Sequence, residues 1–466
     1  MEKKQKRGSF SGSIGFVLAA AGSAVGLGNI WRFPYLAAKD GGGVFLLCYL
    51  ILALTFGFAL LTTEIAIGRK TGQSPLTAYK AMHPKMGWLG VIACAVPAMI
   101  LPYYCVIGGW VLKFLSVYVT GSASAAVQEG YFDSFIMGQT EPVVWFVVYL
   151  ALTVFVVYKG VGNGIEKFST VLMPILILLI MGISLFSLTL KHTDASGVTR
   201  TGIQGFLIYV VPDFEGMTLK KFITILMDAT GQLFYSVSVA MGIMITYGSY
   251  VKKDTNLVKS VNQIEIFDTL VAFLAGFMIV PAVYTFMGTE GMATGPSLMF
   301  VSLPKVFEAM GVAGSIIAIV FFIMVAFAAL TSSVSIMEAI VSSCMDKFCI
   351  SRKRSTVVVG AFTAVIGLVV CFGYNIWFFK LTLPNGSTGQ ILDVLDYTSN
   401  NILMPIVAIA TCILVGWIVK PKTVIDEVTH GGLKFGRKGL YIVMVKFVVP
   451  VLLLYLLLQA LGILNM

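Results

Sequence analysis

Residues 22–35 of the chain read Gly22-Ser-Ala-Val-Gly-Leu-Gly-Asn-Ile-Trp-Arg-Phe-Pro-Tyr35, and they interrupt an apolar segment long enough to cross a membrane. Backbone N–H and C=O groups cannot stay unpaired in hydrocarbon, so a spanning segment is helical unless its break lines a cavity. Glycines let the backbone leave helical geometry, but they also form packing surfaces, and Gly22 with Gly26 fits either role. Asn29 and Arg32 favour a site, because polar groups at that depth are costly.

The composition indicates a polytopic membrane protein. Of the 466 residues, 58% are hydrophobic and only 12% are charged, and separate apolar runs reach the length of a membrane span. We predict an all-α membrane protein with a single transmembrane domain over residues 1–466 and no soluble domain between the runs. Eleven spans are predicted, with centres near residues 25, 55, 100, 150, 178, 235, 275, 328, 366, 405 and 450.

The distribution of positive charge predicts the orientation. Most of the 32 Lys and Arg residues lie in the N-terminal tail and the even-numbered connections, which predicts a cytoplasmic N-terminus and an extracytoplasmic C-terminus in the cell (inner) membrane. This asymmetry accounts for most of the net charge of +10, so no nucleic-acid partner is needed to explain it. The first residues imitate a signal peptide, but we expect them to be retained, because cleavage would remove half of the broken helix.

The cysteines and histidines do not indicate a metal centre or an active site. The odd number of cysteines, seven, and their spacing favour packing over disulfides or zinc ligation. The three histidines lie in loops, and no nucleophile with a partner base is recognisable. We therefore expect a protein that is not an enzyme.

A second broken helix is predicted in the sixth span, at Gly231-Gln-Leu-Phe-Tyr-Ser-Val-Ser-Val-Ala-Met-Gly242. If the chain consists of two five-helix halves, each half begins with an irregular span, the first or the sixth. The halves are predicted over residues 1–190 and 215–418, and an eleventh helix follows over residues 438–464. Five spans per half also invert the orientation of the second half. Paired interruptions of this kind point to a binding site near the membrane midplane.

The eighth span contains a hydroxyl cluster, Ala328-Ala-Leu-Thr-Ser-Ser-Val-Ser335. Such hydroxyls often only bond to a carbonyl one turn earlier. However, Thr331 and Ser332 share a face with Ala328, so one carbonyl and two hydroxyls form a hard oxygen cluster suited to Na⁺.

These motifs together resemble the neurotransmitter:sodium symporter family, and its bacterial branch in the number of spans. The resemblance covers essentially all spans and rests on Gly26-Leu-Gly-Asn-Ile-Trp-Arg-Phe-Pro34, Gly231-Gln232 with Ser236 and Ser238, Leu330-Thr-Ser-Ser333, and the pair Tyr103-Tyr104. It implies two inverted five-helix repeats with discontinuous helices 1 and 6, and two sodium sites.

The resemblance also implies the site residues. One sodium site would use the carbonyls of Gly22, Val25 and Ala328 and the hydroxyls of Thr331 and Ser332. The other would use the Ala24 carbonyl, Asn29, Ser236, Asp268 and the carboxylate of the substrate. That carboxylate would lie on the N–H groups of Leu27 and Gly28 beside Tyr104, and the ammonium near Ala24, Tyr235, Ser236 and Ser238. The side-chain pocket would be lined by Ile100, Tyr104, Tyr235, Met241, Ser332 and Ile336.

Four positions predict the class of substrate and the ion dependence. Monoamine carriers similar to this family have an aspartate where this chain has Gly26, so we expect an L-amino acid, which brings its own carboxylate. The adaptable Met241 favours hydrophobic or aromatic amino acids. Asp268, with Ala272 one turn later, predicts chloride-independent transport, since a fixed negative charge can replace a bound anion. The alternative is a carboxylate that snorkels or is merely satisfied by its neighbours.

The resemblance further implies gates. Arg32 and Asp396 would close the outer side, and Arg7 with Asp346 the inner side, with Tyr250 helping to hold the N-terminal tail. Each of these charges could instead be an ordinary interfacial residue.

Other polar or helix-breaking residues have proposed roles as well. Gly164 and Pro174 resemble a motif at which the fifth span unwinds. Glu64 is read as a cap on the broken helices, and Glu338 as an inner-vestibule polar group or a partner for a nearby Lys or Arg.

The expected function is sodium-coupled symport of an amino acid across the lipid bilayer by alternating access. A non-transporting sensor on the same fold is one alternative. An ion channel is another, but the polar clusters are confined to the midplane, whereas a channel needs a continuous polar lining.

Overall fold

The structure is a computed structural model that describes residues 8–194, 196–292 and 297–464. Its principal helices are α1 (Ser13–Ala24), α2 (Leu27–Lys39), α3 (Gly43–Thr71), α4 (Pro84–Val119), α5 (Glu141–Tyr158), α6 (Val161–Leu188), α7 (Leu219–Ser236), α8 (Ile243–Gly248), α9 (Leu257–Met287), α10 (Val312–Phe348), α11 (Arg352–Phe372), α12 (Ile391–Ile418) and α13 (Lys438–Ala460).

Short elements join these helices at the two ends of the bundle. The connecting helices are Pro75–Met82, Ala123–Ala126, Tyr131–Ile136, Gly202–Val210, Leu303–Ala309 and Lys422–Val428. Two antiparallel hairpins pair β1 (Lys191–Thr193) with β2 (Thr199–Thr201), and β3 (Leu381–Thr382) with β4 (Thr388–Gly389). The described chain is therefore a helix bundle with small surface hairpins.

The number of helices that could span a membrane is close to the predicted eleven. Within the described ranges, nine helices are long and apolar enough, and α1 with α2 makes a tenth span, bent by 56°. The predicted sixth span, α7 with α8, does not meet the same criterion. The reason is that α7 carries Lys220, Lys221 and Asp228, and that a break of several residues separates it from α8.

The two broken helices lie at the predicted positions. The first break falls at Val25 and Gly26, between α1 and α2. In the second, Ser238 and Ala240 have φ angles of 54° and 62°, in the left-handed region that non-glycine residues rarely adopt. Glu64 of α3 accepts a 2.6 Å hydrogen bond from the Ala240 N–H, so it caps the second break, as the sequence predicts.

The broken helix α1 lies in the middle of the bundle. Every residue from Gly15 to Ala24 is buried, and the hydroxyl-rich part of α10, from Ala328 to Ser343, is buried except for Leu330. Exposed apolar side chains instead line outward faces of helices such as α6 and α13, as expected of surfaces that contact lipid. The polar residues at the two breaks, including Asn29, Ser236 and Ser238, are buried as well.

Helix α6 departs from the expected unwinding. It is helical through both Gly164 and Pro174, and its first turn, Val161–Glu166, is a π-helix. In this structure the helix is therefore continuous: Gly164 lies in its wider π-helical turn, and Pro174 lies in the α-helical part that follows.

Candidate functional site

The first predicted sodium site brings its ligands together. The Ser332 hydroxyl lies 3.4 Å from the Gly22 carbonyl oxygen and 3.1 Å from that of Val25. Thr331 Oγ1 lies 3.0 Å from the Ala328 carbonyl oxygen. The break after α1 frees carbonyls that no helical N–H can reach, and α10 supplies hydroxyls one turn from a carbonyl. The result is an oxygen-only cluster, which suits a hard cation.

The second predicted sodium site is centred on the Asp268 carboxylate, which is buried in α9. Ser236 Oγ donates to Asp268 Oδ1 at 2.6 Å, and Asn29 Nδ2 contacts the same oxygen at 3.1 Å. Ser236 Oγ also lies 3.2 Å from Asn29 Oδ1. Two broken helices and α9 therefore converge on one carboxylate. Ala24 lines the cavity beside this group.

A central cavity lies beside both oxygen clusters: Ser332 of the first and Asn29 and Ser236 of the second line it. Its lining includes all the predicted substrate residues: Ala24, Leu27, Gly28, Ile100, Tyr104, Tyr235, Ser236, Ser238, Met241, Ser332 and Ile336. Its free volume is about 30 Å³, much smaller than the 440 Å³ of the largest cavity described below.

One end of the cavity contains the residues at which the substrate carboxylate is predicted to bind. The Leu27 N–H points at Tyr104 Oη, 3.4 Å away, at the first turn of α2, where backbone N–H groups lack helical partners. A Cβ atom on Gly26 would lie 3.1 Å from both Tyr104 Oη and Ser332 Oγ, and one on Gly28 would lie 2.9 Å from the Tyr235 ring. The two glycines thus let the side chains of Tyr104, Ser332 and Tyr235 approach the backbone of this segment closely.

Three residues that form hydrogen bonds within the candidate site were not predicted from the sequence. Tyr49 donates to Asp268 Oδ2 at 3.1 Å. The Ser23 carbonyl accepts from Ser238 Oγ at 2.9 Å and from Ser332 Oγ at 3.1 Å, and Gln232 Nε2 donates to the Gly28 carbonyl at 3.2 Å. Ser23 and Gln232 lie inside the quoted motifs, which is a usable signal. Nothing in the sequence marks Tyr49.

A vestibule of about 440 Å³ lies above the central cavity, and Tyr235 lines both spaces. Arg32 also lines the vestibule. The other predicted outer-gate residue, Asp396, accepts hydrogen bonds from Tyr103 Oη at 2.9 Å and Asn400 Nδ2 at 2.7 Å. Both gate residues are described, and no ion pair within 4 Å joins them in this structure. Their pairing stays a prediction for another conformation.

The opposite end of the bundle holds the predicted inner-gate residues. Asp346 Oδ2 accepts hydrogen bonds from the N–H and hydroxyl of Ser74 at 2.7 and 2.6 Å, and Arg7 lies outside the described residues. Tyr250 donates to Glu338 Oε1 at 2.6 Å, and its carbonyl accepts from the Phe10 N–H.

Glu338 belongs to the same end of the bundle. Arg352 donates to both of its carboxylate oxygens, at 2.6 and 2.7 Å. Of its two predicted roles, partner of a basic residue fits this geometry.

Comparison with known proteins gives consistent matches. Residues 7–127 and 135–465 match the Sodium:neurotransmitter symporter family. The sodium-dependent transporter YhdH of Bacillus subtilis (strain 168) is 34% identical over 472 residues, 99% of each chain. A sodium-dependent transporter of Haemophilus influenzae is 30% identical over 466 residues, 97% of each chain. The solved structure of MhsT in complex with L-phenylalanine has a TM-score of 0.83 and 31% identity, covering 97% of this chain and all of that one.

Proposed function

Because the chain belongs to the Sodium:neurotransmitter symporter family, it is a sodium-coupled multi-pass membrane transporter and not an enzyme, and we propose that its cargo is an L-amino acid. The observation that carries this proposal is the anion-ready end of the central cavity. The Leu27 N–H and the Tyr104 hydroxyl lie together at this end, Gly28 lines the same cavity, and none of the described lining residues carries a carboxylate. A carboxylate brought by the substrate complements that space.

Hydrophobic or aromatic amino acids fit the remaining walls best. Ile100, Met241 and Ile336 line the cavity with apolar surface, and Met adapts its shape to bulky groups. The similar protein MhsT was solved with L-phenylalanine, which supports this size class.

Two sodium ions are proposed to bind in the two oxygen clusters. One cluster offers Gly22, Val25, Ala328, Thr331 and Ser332. The other offers Ala24, Asn29, Ser236 and Asp268, and the substrate carboxylate would complete it. Both sets consist of oxygen ligands, and the described residues contain no group of three or more His, Cys, Asp or Glu that would suit a transition metal. The fixed charge of Asp268 beside them supports chloride independence.

The proposed transport cycle uses the two ends of the bundle. The N-terminus is cytoplasmic and the C-terminus extracytoplasmic, so the vestibule opens outwards and Tyr235 separates it from the cavity. Arg32 with Asp396 closes the outer side, and Arg7 with Asp346 closes the inner side. The two five-helix repeats are proposed to be residues 1–190 and 215–418, and residues 438–464 form the eleventh helix outside them.

Uptake of radiolabelled L-phenylalanine into proteoliposomes tests the function. With Na⁺ outside and K⁺ inside, we expect accumulation above the external concentration, and a screen of the twenty amino acids with and without Na⁺ then ranks substrates. A negative-inside potential should increase uptake, because each charge that crosses 100 mV contributes about 2.3 kcal/mol. Downhill flux alone would favour a channel, binding without flux a sensor, and equal uptake of phenylethylamine would contradict the carboxylate requirement.

A further inference from the structure

A separate cavity of about 320 Å³ opens at the same end of the bundle as the vestibule. It lies between the last turn of α4, the connecting helices Ala123–Ala126 and Leu303–Ala309, and the first turn of α10. It shares no lining residue with the vestibule or the central cavity. The transport cycle proposed above makes no use of it.

The Tyr118 side chain is the polar group in this cavity that needs a partner. Tyr118 is 4% exposed, lines the cavity, and its hydroxyl has no hydrogen-bond partner among the described residues. Buried hydroxyls are almost always hydrogen-bonded, since an unsatisfied one is destabilising. A ligand in the cavity would satisfy it.

The other walls favour a cation with an apolar body. Glu308 presents a carboxylate to the cavity, and none of the described ion pairs includes it, although the exposed Lys305 lies one turn earlier. Phe307 packs edge-on against Tyr118 with ring centroids 6.1 Å apart, and aromatic faces attract ammonium groups. The first turn of α10 also borders the cavity; its N-cap Gly311 offers no side-chain cap, and the N–H groups before Gly314, which donates to the Gly311 carbonyl at 3.1 Å, have no acceptor within the helix.

We propose that this cavity binds a small organic ammonium compound, with the ammonium between Glu308 and Tyr118 and the apolar body against Phe307. The shared chemistry is the ammonium group, which either an amine or an amino acid can supply. An amino acid would also place its carboxylate at the start of α10. The site lies between the end of α4, which also carries Ile100 and Tyr104, and the start of α10, which also carries Ser332.

Direct binding of tritiated phenylethylamine to the full chain in nanodiscs tests the proposal. The buffer contains K⁺ and no Na⁺, so the result does not depend on the sodium-coupled site. We expect saturable binding that Glu308→Gln weakens about tenfold or more and Tyr118→Phe about threefold, as loss of charged and neutral hydrogen bonds implies. Tyr118→Phe should not lower the thermal midpoint, because it removes an unpartnered hydroxyl. The control Glu215→Gln changes an exposed carboxylate elsewhere and should bind normally.

Competition separates the two sources of the ammonium group. Displacement by L-phenylalanine would show that a zwitterion is accepted, and no displacement would restrict the site to amines. Displacement by 3-phenylpropionate, which lacks the ammonium, would overturn the proposal. Absence of saturable binding, or binding that Glu308→Gln leaves unchanged, would overturn it as well.

Discussion

The Tyr49 hydroxyl donates a 3.1 Å hydrogen bond to Oδ2 of Asp268, while Ser236 and Asn29 contact the other oxygen, Oδ1. The carboxylate is therefore fixed in orientation from both sides, next to Asn29 and Ser236, which line the central cavity. A buried charge that is held in this way can act on a neighbouring ion without rearranging, which makes it the first target for mutation.

Asp268→Asn keeps the shape of this side chain and removes its charge. We expect uptake to fall about tenfold or more, because several hydrogen bonds to a charged group weaken and the site loses charge balance with Na⁺. In chloride-dependent members of the family that this chain resembles, a Ser ligand occupies the position of Ala272, one turn after Asp268. Adding Ala272→Ser to this variant should therefore restore part of the uptake in chloride but not in gluconate. Wild-type uptake should be equal in both anions, and strong chloride dependence of the wild type would contradict the role given to Asp268.

Thr331→Val removes one oxygen from the first sodium cluster and preserves volume. The apparent Na⁺ affinity for uptake should fall about tenfold, since a lost ligand to a charged group weakens binding by roughly 1.5–3 kcal/mol. Ser333→Ala is the matched control, because Ser333 faces Tyr149 and Thr153 at 3.2 and 3.0 Å. That control should lose some stability and keep its Na⁺ dependence. Equal loss of Na⁺ affinity in both variants would argue for a structural effect.

Gly26→Asp places a carboxylate in the anion-ready end of the cavity. Amino-acid uptake should fall about a hundredfold or more, because a charge of the same sign then occupies the space of the substrate carboxylate. Gly182→Ala is a suitable background control, since a Cβ there meets nothing within 4 Å. Equilibrium binding of L-phenylalanine in Na⁺ measures the effect, and unimpaired binding would remove Gly26 from the site.

Tyr235→Ala opens the central cavity to the vestibule. Bound L-phenylalanine should dissociate about tenfold faster, because the ring that lines both spaces is absent. Tyr235→Phe keeps the ring and should retain slow dissociation. Washout of prebound radiolabel measures both rates, and equal rates in the alanine variant and the wild type would show that Tyr235 is not a lid.

Asp40, which directly follows α2, predicts a pH effect on stability. Burial and the nearby Asp228 raise the pKa of Asp40 to about 7, although Lys39 lies 3.7 Å away and opposes the rise. Folding therefore favours the protonated form, so stability contributed by this group is present at low pH and is lost as pH rises through about 7. Asp40→Asn removes the titration, and its thermal midpoint should exceed that of the wild type at pH 8 by more than at pH 5.

Asp254→Asn, on an exposed loop, is the control for this pH series. Its difference from the wild type should not change between pH 5 and pH 8. If Asp40→Asn raises the thermal midpoint by the same amount at both pH values, the raised pKa of Asp40 is not the cause of the stabilisation.

Most of the fold could be predicted from the sequence, because helix breaks and polar residues inside an apolar segment have a high free-energy cost in lipid. A break at Gly26, a carboxylate at Glu64 and a hydroxyl run at Thr331 have no stable place in hydrocarbon, so each marked a protein-enclosed site. The family fold and the two broken helices are confirmed. The same reasoning could not find Tyr49, because a tyrosine in a membrane span is ordinary packing until its partner is known.

The number of spans and the shape of α6 were harder to predict. The hydropathy of α7 is too low for a predicted span because the helix carries charged residues, including Asp228. Asp228 lines the vestibule, where water is available and a charge is tolerated. For α6, Gly164 and Pro174 lower the cost of unwinding but do not determine it. Whether such a helix opens depends on packing across the bundle, which local sequence does not contain.

Ala240 holds a left-handed backbone conformation that glycine normally occupies. A methyl group at this position leaves fewer alternative backbone states than glycine would, so the linker between α7 and α8 has less conformational entropy to lose when cargo is enclosed. Adaptation to cargo of different shape then depends on the flexible side chain of the adjacent Met241 and not on the main chain. Selectivity among amino acids should accordingly be tunable at Met241 without disturbing the geometry that binds the ions.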